Sequence, residues 1–180
     1  MKKLIALLTL FVGLQAHAGL ISIELNNNEV SIGETIELSI IGSDFSSFDS
    51  LNVDVEFDTA LFAFNEGSVG GDLFDTTPFS FIVSSQIFGV AVSYLDFTPF
   101  MGGDFVIASF TLTATALGQS SFALNNMVAG EFFSGPLEVT SNSGPLSATI
   151  SATEVSTPNT LGIIFTLGIV LMGMRRLNCK

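Results

Sequence analysis

"LNVDVEF", residues 51–57, alternates without a break: Leu51, Val53, Val55 and Phe57 are apolar, while Asn52, Asp54 and Glu56 between them are polar. Successive side chains of an extended chain point to opposite faces, so this heptad has one oily face and one carrying carboxylates and an amide. That is the pattern of a strand laid over a core. Working outward, the same period recurs in "LISIEL" (Leu20–Leu25), "TIELSI" (Thr35–Ile40), "FVIASFTLTATA" (Phe105–Ala116) and "LSATISAT" (Leu146–Thr153). Further strands are predicted near Phe79–Ser84, Phe88–Leu95, Ser121–Leu124 and Val128–Phe133. Turn-forming clusters punctuate them: "NNN" at Asn26–Asn28, "GSVGGD" at Gly67–Asp72, "MGGD" at Met101–Asp104 and "SGP" at Ser134–Pro136. No stretch of the middle repeats every 3.6 residues. About nine strands with short connections predict an all-β fold, a β-sandwich or jelly roll, over residues 19–153.

Charge divides the chain into three. The five basic residues are Lys2, Lys3, Arg175, Arg176 and Lys180, whereas all 17 acids lie from Glu24 to Glu154. The formal net charge of -12 therefore understates the middle, where residues 19–155 hold every acid and no Lys or Arg. A polyanion would be repelled, which disfavours nucleic acid as a partner.

Each basic cluster has a reading as an address. "MKKLIALLTLFVGLQAHA" couples a positive start to an apolar run from Leu4 to Leu14 and to the small residues Ala16 and Ala18. This is the layout of a secretory signal peptide, residues 1–18, cut by signal peptidase between Ala18 and Gly19. At the other end, residues 154–180 contain the uncharged run Leu161 to Met174, followed by Arg175 and Arg176. As a transmembrane helix over 161–174 it is only ~21 Å long, so it crosses by thinning the bilayer or recruiting its flanks. The arginines then act as a cytoplasmic stop. Preceded by "VSTPNTL", the segment resembles the bacterial PEP-CTERM sorting tail, keeping Val155, Pro158, Thr160 and Leu161 of its pattern. It departs from that pattern at Ser156, Thr157 and Asn159 and lacks the central glutamate. The resemblance implies processing by an exosortase-like membrane protease; plain membrane anchoring by the same helix is the alternative.

The chemical inventory of the middle is short. The one histidine, His17, leaves with the signal, Cys179 lies beyond the basic pair, and there is no Trp and a single tyrosine, Tyr94. Nucleophile-histidine systems and classical zinc sites are excluded from residues 19–155. A carboxylate pair for glycoside hydrolysis is the enzymatic alternative, although no acid spacing selects a pair. Asp54, Glu56 and Asp58 share one face of a strand at about 7 Å intervals, too wide to hold one ion without help from neighbouring loops, and read as a solvated face. The loop acids Asp72, Asp75, Asp96 and Asp104 are better calcium candidates, since calcium takes several oxygens from flexible loops. Sixteen phenylalanines lie between Ala18 and Leu161. They are expected mainly to fill the core, with Phe97, Phe100, Phe132 and Phe133 the candidates for an exposed adhesive patch.

The order of features resembles cohesin-like modules. "NNEVSIGETIELSIIGSDFSSFDSLNVDVEFDTALFAF" (Asn27–Phe64) runs as polar turn, glycine, strand, loop and alternating strand, and "FVIASFTLTATALGQSSFAL" (Phe105–Leu124) as strand, glycine turn and strand. The resemblance implies a nine-stranded jelly roll with a role in carbohydrate-associated or cell-surface assembly; with the signal peptide and the short chemical inventory, the chain is expected to be an exported, non-catalytic component of the cell envelope or exterior. Its expected ligand is a polysaccharide or another surface protein, with no cofactor required.

Overall fold

The computed structural model describes residues 18–142, 144 and 146–152. Ala16, the signal core, the sorting motif and the helix expected over 161–174 lie outside the described residues. Among the described residues, no helix is long and apolar enough to cross a membrane.

Twelve strands form two facing sheets. In chain order they are β1 (Gly19–Leu25), β2 (Glu29–Ser31), β3 (Thr35–Phe45), β4 (Phe48–Glu56), β5 (Phe62–Phe64), β6 (Ser80–Gln86), β7 (Gly89–Phe100), β8 (Gly103–Ala114), β9 (Gly118–Glu131), β10 (Gly135–Leu137), β11 (Val139–Ser141) and β12 (Leu146–Ser151). The first sheet runs β11-β1-β3-β8-β5, the second β2-β12-β9-β4-β7-β6 with β10 pairing on β9. Most neighbours are antiparallel, but β1 with β11 and β12 with β2 are parallel. Among the described residues the helical content is one turn at Glu66–Ser68 and one at Asp72–Asp75, around the predicted glycine-rich connection.

Alternation works as the sequence requires. Leu51, Val53 and Val55 are at most 1 % exposed and Phe57 is 6 % exposed, while Asn52, Glu56 and Asp58 face solvent. Each such burial is worth roughly 1.5–3 kcal/mol relative to exposure. The sheets are joined by aromatic rings. Phe48 of β4 sits 5.4 Å from Phe45 and 5.5 Å from Phe105 of the opposite sheet, and 5.4 Å from Phe100 of its own. Towards the other end, Phe122 of β9 meets Phe62 of β5 at 5.8 Å. Ten of the sixteen phenylalanines belong to this core or pack against it.

The structure departs from the sequence expectation in two respects. The strands expected at Ser121–Leu124 and Val128–Phe133 are one strand, β9, with a register shift opposite Asn52 and Asp54 and a left-handed Asn126 (φ 50). Phe132 and Phe133 fall in the turn that follows it. Four three-residue strands, β2, β5, β10 and β11, also join the sheets.

Gly89 opens β7 with φ 152, and a Cβ there would stand 1.9 Å from the carbonyl oxygen of Val55. Glycine is what lets β7 start against β4 at this point.

Phe48 touches both sheets, so Phe48→Ala is expected to destabilise the module by about 3–5 kcal/mol, measured by chemical denaturation.

Candidate functional site: the outer face of the second sheet and its two ends

Registers place the outward residues of β6, β7, β4 and β9 in cross-strand rows. One row is Ser80, Leu95, Ser50 and Gly130; the next is Ile82, Ser93, Asn52 and Val128. Then come Ser84, Ala91, Asp54 and Asn125, and finally Gln86, Gly89, Glu56 and Ala123. The face is made of hydroxyls, amides, the Asp54 and Glu56 carboxylates and mostly small apolar groups. Its two exposed large aliphatics, Ile82 and Val128, share a row and are 55 % and 52 % exposed, while Leu95 in the first row is half-buried. Within that row the Ser93 hydroxyl donates to Asn52 Oδ1, and one row on Asn126 Nδ2 donates to Asp54 Oδ2 at 3.2 Å. Of the carboxylate face read from the sequence, β4 carries Asp54, half-buried, and the exposed Glu56, while the exposed Asp58 lies beyond its end.

Beyond the first row lies an aromatic end. Phe79 and Phe97 meet with tilted rings at 4.8 Å, and Phe132 and Phe133 edge to face at 5.5 Å. Phe97, Phe132 and Phe133 are exposed as the adhesive-patch reading expects, and the structure adds Phe74 and Phe79. Phe100 departs from that reading, because it packs on Phe48 and on Phe105 at 4.8 Å. The turn carrying Phe132 is fixed from inside. Asp49, 5 % exposed, accepts the Phe132 N–H at 2.6 Å through Oδ2, while its Oδ1 has no hydrogen-bond partner among the described residues. The Glu131 carboxylate takes a hydrogen bond from the Ser47 hydroxyl; this bond and one to Ser134 hold its pKa below the usual carboxylate value.

A hollow of about 250 Å³ at this end is lined by Thr76, Tyr94, Asp96, Thr98, Pro99, Phe100 and Met101. Burial, then Asp96 and Asp49, push the Tyr94 hydroxyl above its ordinary pKa against a hydrogen bond with Thr76. At the opposite end, two hollows sharing Glu56 and Phe88 adjoin Asp54, Gln86 and Ile87 on one side, and Asp58, Gln119 and Ser120 on the other.

The four calcium candidates are not brought together. Asp72 Oδ2 accepts the Val106 N–H at 2.7 Å, Asp104 Oδ1 accepts the Asp44 N–H at 3.2 Å, and Asp96 Oδ1 accepts the Phe97 N–H at 2.7 Å. Asp75 closes the helical turn that Asp72 opens. Among the described residues, no three metal-ligating side chains form a cluster. Sequence separation carried no distance information here; short acidic side chains in turns satisfy nearby backbone first.

The architecture is that of the cohesin β-sandwich. A non-cellulosomal cohesin from Archaeoglobus fulgidus superposes with a TM-score of 0.60 at 14 % identity, over 76 % of this chain and 94 % of that one. A cohesin from Clostridium thermocellum, solved in a type I cohesin–dockerin complex, gives 0.61 at 12 % identity, over 76 % and 96 %. A type II cohesin domain from the cellulosome of Acetivibrio cellulolyticus gives 0.60 at 12 %, over 73 % and 95 %. No protein-family model and no curated protein sequence matches the chain.

Because Tyr94 is the single tyrosine, its titration is directly readable. A raised folded-state pKa means that the unfolded chain gives up the proton first. The related stability is therefore complete below about pH 10 and falls as pH rises past it. Ultraviolet titration should show tyrosinate appearing later in the folded module than in denaturant, with Thr76→Val delaying it further.

Proposed function

We propose that the chain is an exported, non-catalytic docking module whose partner is a protein, seated on the outer face of β6, β7, β4 and β9. The observation that carries this reading is the row of Ile82, Ser93, Asn52 and Val128, in which two half-exposed aliphatics stand among a hydroxyl and an amide. Such a mixture resembles the composition of protein interfaces. The exposed rings of a polysaccharide platform would instead lie across the strip, and here the exposed phenylalanines sit at its ends. The cohesin from Clostridium thermocellum named above was solved with a dockerin bound, which supports a protein partner for a sandwich of this shape.

Four strands at about 4.8 Å and four rows at about 7 Å cover on the order of 500 Å². A standard interface needs about 800 Å² per partner. The strip alone falls short, so the docking surface includes the aromatic end with Phe79, Phe97, Phe132 and Phe133.

Export and tail processing belong to the same proposal. Cleavage after Ala18 is supported by where the fold begins: Gly19 is the first residue of β1, and its N–H donates to the Glu138 carbonyl at 2.9 Å. A Cβ at Gly19 would stand 2.8 Å from the Phe45 ring. Downstream, Ser151 ends β12 just before the segment with Val155, Pro158, Thr160 and Leu161. We assign that segment to an exosortase-like protease that releases or transfers the module from its membrane helix, with Arg175 and Arg176 as the stop.

Ile82→Asp and Val128→Asp are expected to change folding stability by less than about 1 kcal/mol, because both positions are half exposed. The same changes should abolish photo-crosslinks to protein formed from position 93 in the producing cell. Retention of the wild-type module, but not these variants, on a polysaccharide array would replace the protein partner with a glycan.

Mass spectrometry of the mature protein is expected to find Gly19 at one terminus and neither Arg175 nor Arg176 at the other. Intact Lys180 would leave simple anchoring in place of sorting.

A further inference from the structure

The end of the sandwich opposite the aromatic patch is built from turns tied to one another by hydrogen bonds. The Ile32 N–H donates to Ser151 O at 3.2 Å, and Gly33 N–H to Ala114 O at 2.9 Å. Thr115 donates its N–H to Leu61 O at 2.8 Å and its hydroxyl to Ala60 O at 3.0 Å. The Thr59 hydroxyl reaches Ile87 O at 3.1 Å, and Phe57 N–H reaches Phe88 O at 2.9 Å. From this cross-linked base, separate turns present Ile32, Ile87, Phe88 and Leu117 to solvent, exposed by 41 %, 80 %, 71 % and 56 %. None of the four is needed by the proposed docking strip. β12 ends here too, at Ser151, so the tail leaves the module from this apolar end.

We propose that this end is a lipid-facing foot: while the tail is attached, Ile32, Ile87, Phe88 and Leu117 rest in the interfacial region of the bilayer that the tail enters. The inference depends on the reading that residues 161–174 lie in a membrane. Chain length chooses the end. The nine residues 152–160 span at most about 32 Å even when fully extended. Strand β8, at twelve residues, is about 40 Å long. The aromatic end therefore lies beyond the tether's reach unless the module lies flat, whereas the turn end is where the tether begins. Charge chooses the lipid. Glu34, Glu56 and Asp58 flank these turns, and the module has no Lys or Arg with which to hold anionic headgroups. Contact is through apolar insertion, and it weakens as the bilayer becomes more anionic, opposite to a polybasic membrane binder. In this posture the aromatic end and Gly19 point away from the membrane.

The chain has no tryptophan, so one introduced indole reports one position. Chains of residues 19–180, without the apolar signal segment so that the tail alone can enter lipid, carry Phe88→Trp or Phe133→Trp and are reconstituted with phosphatidylcholine vesicles and recovered by flotation. The expected result is a blue-shifted Phe88→Trp signal, quenched several-fold more by nitroxide-labelled lipid than Phe133→Trp and shielded from acrylamide. The difference should shrink when phosphatidylglycerol is added. Ile87→Trp reports on the same turn if Phe88→Trp does not fold. On floated vesicles, equal acrylamide access at both positions overturns the foot. Shielding at Phe88→Trp without lipid quenching overturns it as well, in favour of a second protein copy covering the end. Failure of the chain to float overturns the membrane-tail reading itself and the foot with it, so the two failures are distinguishable.

Discussion

The folded module has to be assembled without a single internal cation. Between Lys3 and Arg175 there is no Lys or Arg, so its carboxylates have no ion pair open to them from those residues. Backbone N–H groups take that place. Asp49, Asp58, Asp72, Asp96 and Asp104 accept from Phe132, Ala60, Val106, Phe97 and Asp44, and Glu34 accepts from Ser31. Phe132 and Ala60 lie in turns and Ser31 ends β2, while Val106, Phe97 and Asp44 lie beside register shifts within β8, β7 and β3. A hydrogen bond to an ionised acceptor is roughly twice as strong as a neutral one. The acids thus hold the connections while the phenylalanines hold the sheets, and neither task uses a positive charge.

Asp49 shows what this arrangement costs. It is carried into the interior beside Phe48, satisfied on one oxygen and unpartnered on the other among the described residues. A buried polar atom left without a partner costs about 1–3 kcal/mol. What it secures is the position of the turn bearing Phe132 and Phe133, two rings held in water at the end of the face formed by β6, β7, β4 and β9.

The main strands were legible because each is long enough to show a period and has a face on the core. β4 is the clearest example, and β1, β3, β8 and β12 follow it. The short β2, β5, β10 and β11 were not, because three residues hold no period and exist as strands only through distant partners such as Ile150 for Val30. β9 was split in two for a related reason: the irregularity around Asn126 slips the alternation, so that Ala123 and Asn125 face outward on one phase and Val128 on the other. Of the site, the carboxylates of β4, Asp54 and Glu56, were legible from one strand alone. The row joining Ile82 to Val128 was not, since it exists only once four strands have taken their registers.

The two parallel pairings carry a consequence for the order of assembly. β1 is flanked by β3 and by β11, and β2 completes its edge only on β12, so residues 19–31 are held by residues 139–151. A chain made from its N-terminus therefore releases its first strands long before their last partners exist. Pairings this distant in sequence carry a large loop-closure cost and fold slowly. Until Ser151 is free of the machinery making the chain, β1 and β2 remain unfinished edges with apolar residues beside open N–H and C=O groups. Such edges are the points where two chains pair wrongly, so synthesis is the stage at which this protein most needs to be kept apart from its own copies.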